Sequence, residues 1–469
     1  MFNHDDAGPS AVLKSKKFLV LAGTGIVWAC LYLLFKLRHY EHETIPFLGW
    51  RWLSVVPMIL AFSFVMQVIG LVCLRSVLPG AAAEASVESV AEILNIIFFN
   101  LPAGKPVKWG FDRWSRLRKS RDDYSQFFQD PPPDWIVQYY GHRQDFYRFT
   151  LSEKEDPIPY CVIFDNTRVC LPLERVAVLW ESDVNWTTSP QLQSQTVQAR
   201  DTFAKWARRH DSKLHDGVHL RLNSLALQNS NLTLSVRPVK YFESFFTNNI
   251  QDFPLPGAKN TLRQMWDSNG QMQPLENSEA ANLFGVNHLI VTREGHLLVA
   301  ERSHRVAIRP GYFTPSAAGD FDHDDFGEPN SGRTIPFSRH AVTREIAFEL
   351  GDAVANSLTE HVLLGIAREV ARGGKPDSFF AARSSMTFTE IEKSWKDVRD
   401  RWEGKRLYAI PLGDAACRDL SSYLEAYPLM RSIEDFVTHY RSRISVTLKM
   451  NLEFWIRYKL ARLQRGATN

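Results

Sequence analysis

Two stretches near the start of the chain carry no charge at all: Phe18 to Phe35, 18 residues, and Trp52 to Leu74, 23 residues. A helix needs roughly 20 apolar residues to cross a hydrocarbon core of about 30 Å, so the pattern predicts transmembrane helices at 18–35 and 52–74. Lys14, Lys16 and Lys17 ahead of the first stretch would also suit a signal peptide. The chain continues Lys36-Leu37-Arg38-His39-Tyr40, with no small-residue cleavage site, and a second span follows, which favours a two-helix anchor. Basic residues after the second span (Arg75, then Lys105, Lys108, Arg113, Arg116, Arg118, Lys119 and Arg121) outweigh Lys36, Arg38 and Arg51 between the spans. The positive-inside rule then puts residues 1–17 and the soluble bulk in the cytoplasm, as a multi-pass membrane protein. Neither span holds an ionisable residue, so they read as anchors and not as a pore.

Past the spans the pattern changes to that of soluble protein. Residues 75–133 read as a juxtamembrane linker, helical over 81–104 and basic over 105–121. Trp109, Phe111 and Trp114 are interleaved with its cations, a mixture suited to a lipid headgroup layer. Membrane lipid is therefore the expected partner there, and direct nucleic-acid binding is not expected. Asp130-Pro131-Pro132-Pro133-Asp134 marks a linker. Residues 134–280 then alternate strand-like runs (Tyr160–Phe164, Arg168–Leu173, Val176–Trp180, Thr233–Val239) with a helical stretch near Gln195–Arg209, and predict a mixed α+β domain. His210, Asp211, His215 and Asp216 cluster locally and read as a solvated loop. The segment 429–469 is a basic helix with Arg441, Arg443, Lys449, Arg457, Lys459, Arg462 and Arg465. It reads as a solvated face, or as a basic element against a membrane or an acidic partner.

Composition narrows these readings little. A chain of 469 residues, 45% hydrophobic and 23% charged, is globular and long enough for two or three folded units. The net charge of +3 excludes nothing by itself. Five cysteines make no disulfide framework, and Cys161 and Cys170 are predicted to be free thiols.

The chemistry concentrates at 286–352. Val286–Thr292 and Leu297–Glu301 flank the turn Arg293-Glu294-Gly295-His296 and predict a hairpin. A glycine-containing stretch, Gly311-Tyr312-Phe313 to Ala318-Gly319-Asp320, leads through an acidic loop to a helix ending at Gly351. Glu345 and Glu349 stand one turn apart on that helix. Their repulsion would be relieved by a cation or an arginine between them. Spacing alone leaves open an ordinary solvated helix face.

The run Arg344-Glu345-Ile346-x-x-Glu349-x-Gly351 resembles the Nudix box, G-x5-E-x7-R-E-U-x-E-E-x-G-U with U a bulky aliphatic, over roughly residues 283–412. The resemblance implies an α/β/α sandwich that hydrolyses the diphosphate link of a nucleoside-diphosphate derivative with Mg2+ or Mn2+. Glu345 and Glu349 would be catalytic metal ligands, with Asp320 and Asp322 as further candidates. Arg344 would orient a glutamate, the Gly319 backbone would lie near the metal, and Gly351 would close the helix. Phe348 stands where the family has the first glutamate of its E-E pair, and Asp352 where it has an aliphatic. The early glutamate aligns only if Phe321–His340 is an insertion, which reads as a mobile acidic surface loop carrying Asp322, Asp324, Asp325 and Glu328.

The sequence-based expectation is thus an α/β chain: two N-terminal transmembrane helices, a mixed α+β domain at 134–280, a Nudix-like α/β/α sandwich at 281–428, and the basic helix. Its function is expected to be that of a membrane-anchored Nudix-type hydrolase. The alternative is a catalytically impaired Nudix-like module that senses a nucleotide or partner and signals to the membrane helices. Its partners would be membrane lipid, a nucleotide-type small molecule and a second copy of the chain.

Overall fold

A computed structural model describes residues 133–466, apart from 142–145, 151–156, 198, 202, 205–214, 254, 256–258, 304–305, 307, 418 and 421. These residues belong to one compact unit. Thirteen strands form two sheets: β1 Phe146–Arg148, β2 Pro157–Asp165, β3 Val176–Trp180, β4 Val218–Gln228, β5 Asn231–Lys240, β6 Gly285–Val291, β7 His296–Arg302, β8 Phe313–Thr314, β9 Ala317–Asp320, β10 Thr334–Pro336, β11 Leu358–Glu369, β12 Lys375–Ser384 and β13 Gly404–Pro411. The larger sheet runs β1-β2-β11-β12-β6-β7-β13, with β8 on β7 and β9 on β6; the smaller runs β10-β3-β5-β4.

The larger sheet is covered on both faces by helices. Strand side chains point alternately to the two faces. Leu289, Leu297 and Ala381 therefore pack with Leu448, Phe454 and Trp455 of the Val446–Gly466 helix on one side. Ile290, Leu298 and Ala382 pack with Ile346 and Leu350 of the Arg339–Leu350 helix on the other. All seven residues of β6 are buried, as a central strand covered on both faces requires. The C-terminal helix is more than a solvated basic face: Arg462 and Arg465 are exposed, but its other side is core. Leu448, Met450, Leu452, Phe454, Trp455 and Ile456 are buried, and burial of each such side chain contributes about 1.5–3 kcal/mol.

This architecture corrects the expected fold class. Among the described residues no helix is long and apolar enough to cross a membrane. The stretches 18–35 and 52–74, and the linker before Pro133, lie outside the described residues. Nor does a mixed domain precede a separate sandwich: β2 pairs with β11 from Tyr160↔Glu369 to Asp165↔Gly365, so residues before 280 build the same sheet as residues after it. The pairing needs close backbone approach at Gly365, where a Cβ would meet the Phe164 carbonyl oxygen at 2.8 Å.

Two local expectations also change. Arg168–Leu173 is not a strand. Asp165 caps a short helix, Asn166–Val169, by accepting from the Thr167 amide, and Cys170 ends it at φ 54°. As expected, Cys161 and Cys170 form no disulfide. Phe321–His340 is not a mobile surface loop: Phe321, Phe326 and Phe337 are buried in the core, and β10 pairs with β3.

The hairpin at 286–301 forms but stays paired only at its turn end, Val291↔Leu297. Below that the strands part. β9 lies on β6 (Val286↔Gly319, Asn287↔Ala318) and β8 on β7 (Ala300↔Thr314), so the chain from Phe313 to Asp320 is inserted between them. That insertion carries Gly319 to the Arg339–Leu350 helix.

Candidate functional site

The helix that bears the glutamates is closed at both ends by its own sequence. Ser338 caps the start by accepting from the Ala341 amide at 3.1 Å, and Gly351 ends it at φ 105°, a left-handed region where glycine is favoured. Ala341, Val342, Ile346 and Leu350 face the core, which turns Glu345 and Glu349 toward β9. There the Ala318 amide donates to Glu349 Oε2 at 3.1 Å. Gly319 lies directly on the other glutamate: a Cβ there would overlap the Glu345 carboxylate and stand 2.9 Å from its Cγ.

Arg344 ties the site together. Its guanidinium pairs with Glu345 Oε1 at 2.8 Å, Asp322 Oδ2 at 2.7 Å and Asp325 Oδ1 at 2.6 Å, and it donates to the Asp320 carbonyl at 2.9 Å. The arginine is 12% exposed and Glu345 13%. Burial pushes the Glu345 carboxyl up to about 8, against the pull of Arg344, with Asp322, Asp320 and Asp325 adding repulsion. Glu349 is pushed well above the usual carboxylate range by burial, then by Glu403 and Glu345. Glu403 is itself raised by burial, against the pull of Arg302, which stands 3.8 Å from it. Burial also lifts Asp325, to about 6.

The expected residues do not all converge. Glu345, Glu349, Arg344 and Gly319 meet, and Gly351 ends their helix. Asp320 turns to Lys375 Nζ at 2.8 Å. Burial would raise its carboxyl, but Lys375, then His219, hold it below the usual range. Asp322 is shared between Arg344 and His219 Nδ1, the latter at 2.9 Å. Phe348 lies between two guanidinium groups, Arg399 at 4.4 Å and Arg344 at 5.2 Å from its ring. Of the expected polar loop, His210 and Asp211 lie outside the described residues, and Asp216 accepts from the Phe242 amide at 2.8 Å. Sequence reasoning missed Glu403, Arg302, Lys375 and His219. They come from β7, β12, β4 and the approach to β13, and no local spacing links them to the glutamates.

Among the described residues no group of three or more His, Cys, Asp or Glu side chains is arranged to hold a metal ion. That does not disqualify Mg2+, which is ordinarily held by one or two carboxylates together with waters and substrate phosphates. Glu345, which gives Arg344 only one oxygen, and Glu349 fit such a cation; Asp322, with both oxygens engaged, and Asp320, turned to Lys375, do not.

No family model and no curated protein matches the sequence. Solved structures similar to parts of the chain include three proteins. A Deinococcus radiodurans protein is 14% identical, covering 28% of this chain and 67% of its own, with a TM-score of 0.20. A bifunctional NMN adenylyltransferase/ADP ribose pyrophosphatase of Francisella tularensis, solved with AMP and a manganese ion, is 12% identical over 34% of this chain and 41% of its own, with a TM-score of 0.19. A MutT protein of Methanosarcina mazei is 15% identical over 33% of this chain and 94% of its own, with a TM-score of 0.19. At such scores the chains do not superpose as wholes, and the site is read from its own geometry.

Proposed function

We propose that this chain is a Nudix-type hydrolase that cleaves the diphosphate link of a nucleoside-diphosphate derivative with Mg2+ or Mn2+. The observation that carries this reading is the seating of Gly319 on the Glu345 carboxylate, with Glu349 beside it and Arg344 holding Glu345. Residues that match the box at separate points of the sequence converge at one place.

In this reading Glu345 and Glu349 hold the cation. When bound, it would neutralise phosphoryl oxygens and activate water. Arg344 fixes the Glu345 rotamer and leaves its second oxygen free of the guanidinium. The side-chain-free Gly319 allows the backbone to approach. Glu403, raised by burial and adjacent to Glu349, is the group suited to accept a proton from the attacking water.

A second reading, a nucleotide-binding module without turnover, is favoured by Phe348. An aromatic ring between Arg344 and Arg399 cannot supply the carboxylate that the resemblance calls for. Incubating the full chain with a panel of nucleoside-diphosphate compounds and Mg2+ or Mn2+ separates the two. The hydrolase reading expects nucleoside monophosphate release that Glu349→Gln abolishes. Saturable binding with no product from any compound would establish the second.

A further inference from the structure

Residues 215–250 lie outside the stretch that resembles the Nudix family, yet they bring a tyrosine beside His219, the imidazole that pairs with Asp322. Tyr241 opens the short helix Tyr241–Phe245 where β5 ends, and its amide donates to the Gly217 carbonyl at 3.0 Å. Its ring is fixed by His219, 5.1 Å away at 45°, and by Phe245, 5.3 Å away at 79°. The charged groups around it are Asp320, Arg372, Glu403 and Arg302. Its hydroxyl makes no hydrogen bond to a described residue.

Arg372 lies in the turn between β11 and β12, three residues before the Lys375 that pairs with Asp320. Gly373 and Gly374, at φ 59° and 76°, reverse the chain there. Asn248 clamps the turn by donating to the Arg372 carbonyl at 3.4 Å and the Gly373 carbonyl at 3.2 Å. The guanidinium itself makes one long hydrogen bond, Nε to Asn249 Oδ1 at 3.4 Å, and no ion pair among the described residues. The nearby acids are already engaged: Glu369 pairs with Arg309, and Asp377 and Asp320 pair with Lys375 at 2.6 and 2.8 Å. Arg372 is thus a half-buried cation on a clamped turn, with donors to spare. A guanidinium offers five donors in a planar fork that matches phosphoryl oxygens.

We propose that Arg372 and Tyr241 form an anion-gripping rim of the site, donating to phosphoryl oxygens of the diphosphate that the glutamates' cation also contacts. The inference rests on the reading under Proposed function. It adds that the segment preceding the Nudix-like part selects the substrate by its phosphate groups, without help from the metal.

The test is calorimetric titration of the full chain with inorganic pyrophosphate in EDTA. The rim predicts saturable binding that Arg372→Ala weakens about 10- to 100-fold, Arg372→Lys weakens less, and Tyr241→Phe weakens several-fold, as loss of charged and neutral hydrogen bonds implies. Pyrophosphate affinity unchanged in Arg372→Ala and Tyr241→Phe overturns the rim. So does absence of binding by the native chain in EDTA, even where turnover with Mg2+ shows the hydrolase reading to hold. Where Arg372→Ala fails to fold, Tyr241→Phe decides alone.

Discussion

Gly319 and Glu345 occupy each other's space so closely that no side chain fits between them. A Cβ on residue 319 would overlap the Glu345 carboxylate. What it would meet is a largely buried side chain that Arg344 already holds, so the glutamate must give up that pair to make room. Gly319→Ala is therefore expected to destabilise by about 1–3 kcal/mol, as measured by urea unfolding. Mn2+ affinity should fall at least tenfold, because the displaced carboxylate leaves its partner. A large loss of stability with Mn2+ binding intact would contradict this.

The Glu345 carboxyl, raised to about 8, gives the fold a pH dependence of definite sign. Its proton is held more tightly in the folded than in the unfolded chain, so its contribution to stability is present below the ordinary glutamate range and is lost as pH rises toward 8. Without divalent metal the melting temperature should fall between pH 5 and 8.5, and Glu345→Gln should flatten that fall. Mg2+ should restore more stability at pH 8.5 than at pH 6, since it competes with a proton at the lower pH. Calorimetry at the two pH values, with and without Mg2+, checks both signs.

Lys375 holds two carboxylates, the buried Asp377 and the partly buried Asp320. Replacing it leaves both without a cation, and breaking a buried pair in this way costs about 3–5 kcal/mol. Lys375→Met is expected to destabilise by that order in chemical denaturation at pH 7. Most of the stability should return in the triple variant with Asp320→Asn and Asp377→Asn. Failure of the triple variant to recover would mean that the lysine acts through packing.

The parts of this fold legible in the sequence are those fixed over a few residues. The turn at Gly295, the strands on either side of it, and the helix closed by Gly351 follow from turn chemistry and periodicity. The contact between Arg344 and Glu345, which are chain neighbours, was implied by the resemblance. The resemblance brought in Gly319. What was not legible depends on strand order. That residues 157–165 join the sheet of residues 358–384, that β8 and β9 part the hairpin, and that Lys375 takes Asp320 away from the glutamates all arise from pairing distant in sequence. The Phe321–His340 stretch misled because its charges are conspicuous, while its three phenylalanines decide where it lies. The basic C-terminal helix misled in the same way: its arginines line up, but six buried apolar residues in the run 448–456 anchor it to the sheet.

The central claim is that Glu345 and Glu349 hold one divalent cation on which a diphosphate is carried. Electron paramagnetic titration of the full chain with Mn2+, in the presence of a nucleotide bearing a non-hydrolysable methylene diphosphonate, tests it most directly. The account predicts one Mn2+ per chain, bound at least tenfold more weakly in Glu345→Gln and in Glu349→Gln and as tightly as in the native chain in Asp322→Asn. Absence of Mn2+ uptake, or uptake that survives loss of both glutamates, would contradict it.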